Sequence, residues 1–322
     1  MALRKILSYV LILAVSIVSG VTVGKVFLDM NAIPVSSLVG SEAEFRESDK
    51  VVEELVERSR QAGVAPDSFN GIELFQIAEY NLNNSENFLK EMVGQVNSTG
   101  QVVYMRSQKV KVGNEFAYYK LSPSKAVLGI TTPQICSKVS CNIKNLNNIK
   151  IVTNEKGVIT NTSSSETLDG DFSATPDIYN EKSYFDIFKT VPYTTMSFIV
   201  SEKTTSGCVS EVVANGDGTY SFEIKYTPKD GVIDAAYLYA HEIEFSSGYS
   251  LPYWDSVKLK ITVDSNFYFK TIEYDERYMV SSEKIPVLGK ADVVDTFVDH
   301  YYYDIDSIAE KVLPDFRKTM EV

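Results

Sequence analysis

The spacing of apolar side chains changes twice along this chain. From Ile6 to Gly24 the residues are apolar or small throughout, and with Lys25 the only charge before Asp29 the greasy zone extends to Leu28. As a helix it would be about 35 Å long, enough to cross a hydrocarbon core of about 30 Å. Residues 29–47 mix Ser, Gly, Pro and acidic side chains without a period and read as a stalk. Val51, Val52, Leu55, Val56 and Ala62 then recur at helical intervals, until Gly63 and Pro66 stop the run. A second helical zone starts with Asn70 as N-cap and Glu73 in the reciprocal capping position. Its stripe of Phe75, Ala78, Leu82, Ser85, Leu89, Met92 and Val96 predicts one helix that ends near Gly94, with Asn81-Leu82-Asn83-Asn84 as a place to kink or split.

From about residue 100 the period becomes two. Val102–Val112 and Phe116–Leu121 flank the turn residues Gly113-Asn114, and Ile149–Thr153 and Val158–Thr160 flank Asn154–Gly157, so each pair predicts a hairpin. The stretch after Thr131-Thr132-Pro133 looks less regular, and Thr160–Thr175, rich in Ser, Thr, Gly and Asp, reads as a long exposed loop. Tyr220, Phe222, Ile224 and Tyr226 alternate with polar residues, as do Val257, Leu259, Ile261 and Val263. Ser265-Asn266 turns the chain into Phe267–Val280, where the apolar phase slips and predicts a bulge near Lys270–Thr271. An aromatic strand at Val293–Tyr303 and a short helix begun by Ser307–Glu310 close the chain. Helices followed by a long meander give an α+β class: amphipathic helices packed on a large curved antiparallel sheet, a half-barrel. Two smaller sheets split near Thr160–Thr175 are the competing arrangement.

Composition refines the address. Of 322 residues 44 % are apolar, ordinary for a globular chain, and one membrane crossing is visible. Arg4 and Lys5 precede the greasy zone and direct the remainder of the chain outward; a cleaved signal peptide, with small residues at Thr22 and Gly24 or Val18 and Gly20, is the alternative. Either way the domain at 48–322 is extracytoplasmic: on the single-pass reading at the cell membrane, anchored by residues 6–28, and on the other secreted. Without Arg4, Lys5 and Lys25 the chain holds 28 basic residues against 43 acidic ones, a formal charge of −15 that disfavours nucleic acid as a partner. Twenty Tyr and sixteen Phe suit sheets with aromatic faces.

Chemistry is sparse. Cys136 and Cys141 are spaced to close a small disulfide loop in an oxidising compartment, with reduced cysteines as the other reading, and three thiols with two His fall short of a zinc site. His241-Glu242 lacks the second His of H-E-x-x-H, and His241 shares the phase of Tyr237, Tyr239 and Ile243, which suits a cavity-lining or core residue. Ser122–Lys125 and Ser281–Lys284 match S-x-x-K without the companion elements of penicillin-recognising enzymes. No nucleotide or dinucleotide glycine loop occurs. The reading is therefore non-enzymatic, with no metal and no cofactor.

The paired run from Val257 through Asp264 and Ser265-Asn266 to Tyr274, in an exported chain with a capped helix ahead of it, resembles the half-barrel of the outer-membrane lipoprotein carrier family and its relatives among mycobacterial lipid-binding lipoproteins. The chain lacks the acylated cysteine of its lipoprotein members. The resemblance implies a hydrophobic cleft between helix and curved sheet that takes a lipid-like or apolar peptide ligand. Phe75, Tyr220, Phe222, His241 and Tyr274 are the expected lining. The other functional expectation is a scaffold or sensor ectodomain that binds another cell-envelope protein.

Overall fold

The computed structural model describes residues 46–98, 101–113, 115–122, 124–126, 134–141, 145–153, 159–169, 199–226, 253–281 and 290–312. The leader at 6–28, most of the stalk and His241 lie outside them. Among the described residues no helix is long and apolar enough to cross a membrane.

Helix α1, Asp49–Ser59, starts from Ser48 in extended backbone, and a 3-10 turn at Pro66–Ser68 leads to α2, Gly71–Asn83. The capping box forms as the pattern requires: Glu73 N–H donates to Asn70 Oδ1 at 2.9 Å, and Asn70 N–H donates to Glu73 Oε2 at 3.0 Å. The helix does not run on to Gly94. At its end Asn84 Nδ2 donates to the Tyr80 carbonyl at 2.8 Å and Ser85 Oγ to that of Asn81 at 2.6 Å, so side chains replace the next helical turn as partners of the last carbonyls. Strand β1, Asn87–Ser98, follows at once. The stripe misled because Leu89 lies on one face of this strand while Met92 and Val96 lie on the other.

Eleven more strands follow: β2 (Gln101–Val112), β3 (Glu115–Ser122), β4 (Ser124–Ala126), β5 (Gln134–Cys141), β6 (Asn145–Thr153), β7 (Ile159–Asp169), β8 (Val213–Ala214), β9 (Thr219–Tyr226), β10 (Tyr253–Asp264), β11 (Phe269–Ser281) and β12 (Lys290–Tyr302). All belong to one sheet, not two, in the order β7-β6-β5-β3-β2-β1-β12-β11-β10-β9-β8, with β4 on β2. Every pairing is antiparallel, and the open sheet with few helices is consistent with a half-barrel. Both predicted hairpins form, as β2–β3 and β6–β7. Most of the expected exposed loop at Thr160–Thr175 is strand instead: β7 pairs with β6 through to Asn145↔Asp169, because Thr- and Ser-rich backbone accepts a ladder once a neighbouring edge is offered. The stretch around the close cysteines is likewise regular, as β5. The bulge falls where the phase slip predicts it: Thr262 pairs with Thr271 and Val263 with Phe269, leaving Lys270 as the extra residue.

Leu74, Phe75, Ile77, Ala78 and Leu82 of α2 are fully buried in one cluster with Phe222, Ile224, Leu259, Ile261, Val263, Phe269 and Ile272 of the sheet. The Phe75 and Phe269 rings meet edge to face at 5.2 Å. The C-terminal helix α3, Ile305–Lys311, begins a turn earlier than the Ser307 pattern implies, since the Asp304 carboxylate accepts from Ser307 N–H at 2.7 Å and so caps it. It lies against β1, and Gln108 Nε2 donates to its Lys311 carbonyl at 2.9 Å. On that side of the sheet Leu89 and Val110, directly opposite each other, are buried.

Gly94 of β1 faces the backbone and ring of its β12 neighbours with no room for a side chain. A Cβ there would lie 2.2 Å from the Thr296 carbonyl oxygen and 2.7 Å from Phe297 Cα. Gly94→Ala is therefore expected to destabilise the domain by about 1–3 kcal/mol, read as a lower urea midpoint with an unchanged denaturant slope.

Candidate functional site

Register places one set of side chains on the α2 side of β2, β1, β12 and β11. Lys90 is opposite Lys109 and Tyr301; Met92 is opposite Ser107 and Asp299; Asp299 is opposite Ile272; Phe297 is opposite Tyr274; and Asp295 is opposite Glu276. Beside the apolar floor under α2 this is a seam of buried charge: Asp299 is 0 % exposed, Glu276 2 %, Lys90 3 %, Asp295 8 % and Lys109 9 %. Charges are rarely buried to this degree without a specific reason.

The seam centres on Lys90 Nζ, 2.7 Å from Asp299 Oδ2 and 5.9 Å from the centre of the Tyr301 ring. Tyr301 O–H donates to the same Asp299 oxygen at a long 3.4 Å, while Asp299 Oδ1, equally buried, accepts no hydrogen bond. Tyr278 O–H donates to Asp295 Oδ2 at 2.9 Å. Tyr274 directs its hydroxyl to Met92 Sδ at 3.0 Å and stacks its ring on Phe297 at 5.2 Å. Burial, reinforced by the neighbouring carboxylates, pushes the Tyr274, Tyr278 and Tyr301 hydroxyls well above the ordinary tyrosine range. They remain neutral donors on this floor at any physiological pH.

The expected lining residues divide. Phe75 and Phe222 are packed into the core that holds α2 on the sheet, and Phe222 also lies against Gly71, where an added Cβ would come within 2.7 Å of its ring. Tyr220 is half-buried at the margin of that core. Tyr274 stands on the boundary between apolar floor and charged seam. His241 is outside the described residues. Cys136 and Cys141 both lie in β5. His300 lies on the opposite face, across from Glu91 and Thr271, and among the described residues no cluster of His, Cys, Asp or Glu stands together to hold a metal ion.

Sequence reading missed Lys90, Glu276, Asp295 and Asp299, although a signal was present. In Ile272-x-Tyr274-x-Glu276-x-Tyr278 and Val293-x-Asp295-x-Phe297-x-Asp299-x-Tyr301 each acid occupies the apolar phase of its strand.

No family model and no curated protein matches the chain. Among solved structures, a DUF1329 family protein from Desulfovibrio piger aligns over 80 % of this chain and 93 % of its own, at 11 % identity and a TM-score of 0.21. GphF dehydratase 1 aligns over 72 % of this chain and 84 % of its own at 8 % identity and a TM-score of 0.13. The dehydratase domain from the CurH module of curacin polyketide synthase aligns over 70 % and 81 %, at 14 % identity and 0.12. Likenesses at such TM-scores carry no argument about fold or chemistry.

The seam has two measurable consequences. Lys90→Met, which strands the Asp299 carboxylate, is expected to lose about 3–5 kcal/mol, and Lys90→Met with Asp299→Leu to recover most of it in the same urea titration. Raised tyrosine pKa values leave stability unaffected below the unfolded value of 10.0 and remove it as pH climbs beyond, because the unfolded chain releases protons that the native fold retains. The tyrosinate absorbance that is lost in a Tyr274→Phe, Tyr278→Phe, Tyr301→Phe variant should therefore appear together with loss of the β-sheet circular dichroism signal, and not ahead of it.

Proposed function

We propose that this chain is a membrane-tethered extracytoplasmic binding protein that seats a lipid-like or apolar peptide ligand on the α2 side of its sheet. The observation that carries the reading is the joining, on one face, of an apolar floor to a buried line of charge and neutral tyrosine hydroxyls. Such a surface suits a ligand with an apolar body and a polar end.

Dimensions support it. Eleven strands in series at about 4.8 Å spacing make a sheet about 48 Å wide, whereas the thirteen residues of α2 span about 20 Å. The core under α2 draws on β9 to β12 and the start of β1, so the helix covers one part of the face and the charged seam begins at its margin. The leader at 6–28 supplies the tether, or the export signal if it is removed. The seam is read as a binding floor and not as a catalytic centre, because the Lys90 ammonium is held by Asp299 and, among the described residues, no nucleophile and base face each other within it.

A second reading, an ectodomain that docks another envelope protein, draws on the opposite face. There Val93 and Tyr104 are exposed, on neighbouring strands with Tyr104 across from Gln95. The two readings part in one measurement. Residues 46–322, purified without detergent and examined by native mass spectrometry, should carry or take up an acyl-chain ligand, and Met92→Trp should reduce uptake by about tenfold through steric filling of the floor. Absence of any adduct, with a protein partner retained and lost on Tyr104→Asp, would favour the docking reading.

A further inference from the structure

On the face of the sheet opposite α2, burial along the β1–β2 ladder changes from one end to the other. Leu89 and Val110 are buried on the side where α3 lies, whereas Val93 and Tyr104, two and three rows further along, are 43 % and 49 % exposed. Val298, directly across from Val93 on β12, is half-buried. Helix α3 gives the following chain a starting point and a heading. The chain leaves β12 at Tyr302, opposite Leu89, and by Lys311 its carbonyl is held by Gln108 Nε2, one row nearer to the exposed pair. Val312 is buried and its backbone is extended, so the helix stops there with the chain still against the sheet. Leu313-Pro314 comes next, and a residue before proline disfavours helical backbone. Residues 313–322, outside the described ones, set Leu313, Phe316, Met320 and Val322 among Asp315, Arg317, Lys318 and Glu321. Tyr104 is four residues from Gln108 on one strand, about 14 Å away, and such a segment spans about 33 Å extended or about 15 Å as a helix. It reaches the exposed pair in either form.

We propose that this outer face of β2, β1 and β12 is a docking surface for the chain's own segment 313–322, with Phe316 and Met320 covering Val93, Tyr104 and Val298. A segment tethered at Val312 meets the patch at a high effective concentration, so a few apolar contacts suffice to hold it there against a separate protein. The face on which the docking reading draws is therefore occupied by the chain itself, and an outside partner gains it by displacing the segment. The ligand reading on the α2 side is independent of this contact.

The test uses the full chain in lipid nanodiscs, with p-benzoyl-phenylalanine in place of Phe316. Irradiation should link position 316 to peptides from β1, β2 or β12 of the same molecule, and Tyr104→Asp should lower the yield about tenfold. Mixing isotopically heavy and light chains separates linkage within one molecule from linkage between copies. A second measurement needs no cross-linker. Maleimide labelling of the thiol introduced by Val93→Cys, located by peptide mass spectrometry, should be about tenfold faster when Phe316→Asp and Met320→Asp are added. Val93 and Tyr104 are exposed, so both substitutions leave the core intact. Absence of linkage to these three strands, linkage between heavy and light chains, linkage to a co-purifying protein, or an unchanged labelling rate at position 93 would each overturn the assignment. Uptake of an acyl ligand on the α2 side is read separately, so failure of one proposal is distinguishable from failure of the other.

Discussion

The structure depends on the antiparallel ladder between β1 and β12. Each half of the sheet is a local meander, β1 to β7 outward on one side and β8 to β12 on the other, and only this ladder makes them one surface. It joins residues 87–98 to 290–302, so closing the intervening chain costs on the order of 5 kcal/mol before any contact repays it. The ladder must also be specific, since a slip of one residue would send Lys90 and Asp299 to opposite faces. Two features resist that slip. Gly94 leaves room for the Thr296 carbonyl and the Phe297 ring at one point only, and the Lys90–Asp299 pair, diagonal across the two strands, has its 2.7 Å geometry in one register only.

Helix α2 sits beside this join, over β9 to β12 and the start of β1. Nine of its thirteen residues are buried, polar ones included, so it behaves as an interior helix and not as a surface amphipath. Its polar groups are answered locally: Gln76 Nε2 donates to the Val200 carbonyl at 3.3 Å, and the Glu79 carboxylate takes Arg46 at 3.0 Å. The second contact fixes Arg46 to the back of the helix. Lys203 Nζ holds the Arg46 carbonyl at 3.0 Å from another element.

Much of the fold was legible because its periods are clean. Val257, Leu259, Ile261 and Val263 alternate without a fault and are all essentially inaccessible, and the phase slip after Phe269 marked a bulge near Lys270–Thr271, where Lys270 is the extra residue. The long helix failed for a physical reason: apolar residues spaced by three and four satisfy a helix stripe, yet the side chains of Asn84 and Ser85 take the last helical carbonyls, and residues 87–98 pair as a strand between β2 and β12. The late strand β7 was hidden for the opposite reason, a polar sequence whose extended state depends on a neighbour the sequence does not announce. At the site, aromatic residues drew attention to the core, whereas the charged positions in the apolar phase of β11 and β12 were the features out of pattern.

A buried ion pair explains register, but register alone does not account for the seam. One polar pair per interface is enough to exclude alternative alignments, and a coiled coil achieves as much with a single buried side chain. Here the inner face continues with Asp295 and Glu276 directly across from each other, two carboxylates on adjacent strands. Tyr278, which donates to Asp295, and the Tyr274–Phe297 stack show that the neighbouring positions are otherwise built for apolar packing. A fold that needed only cohesion would place Leu or Ile at these two positions, as it does at Leu259 and Ile261 one and two strands away. Two carboxylates in the apolar phase of adjacent strands therefore depart from the packing that cohesion alone selects, and the departure is confined to β11 and β12, where the same phase otherwise carries Ile272, Tyr274, Phe297 and Tyr301.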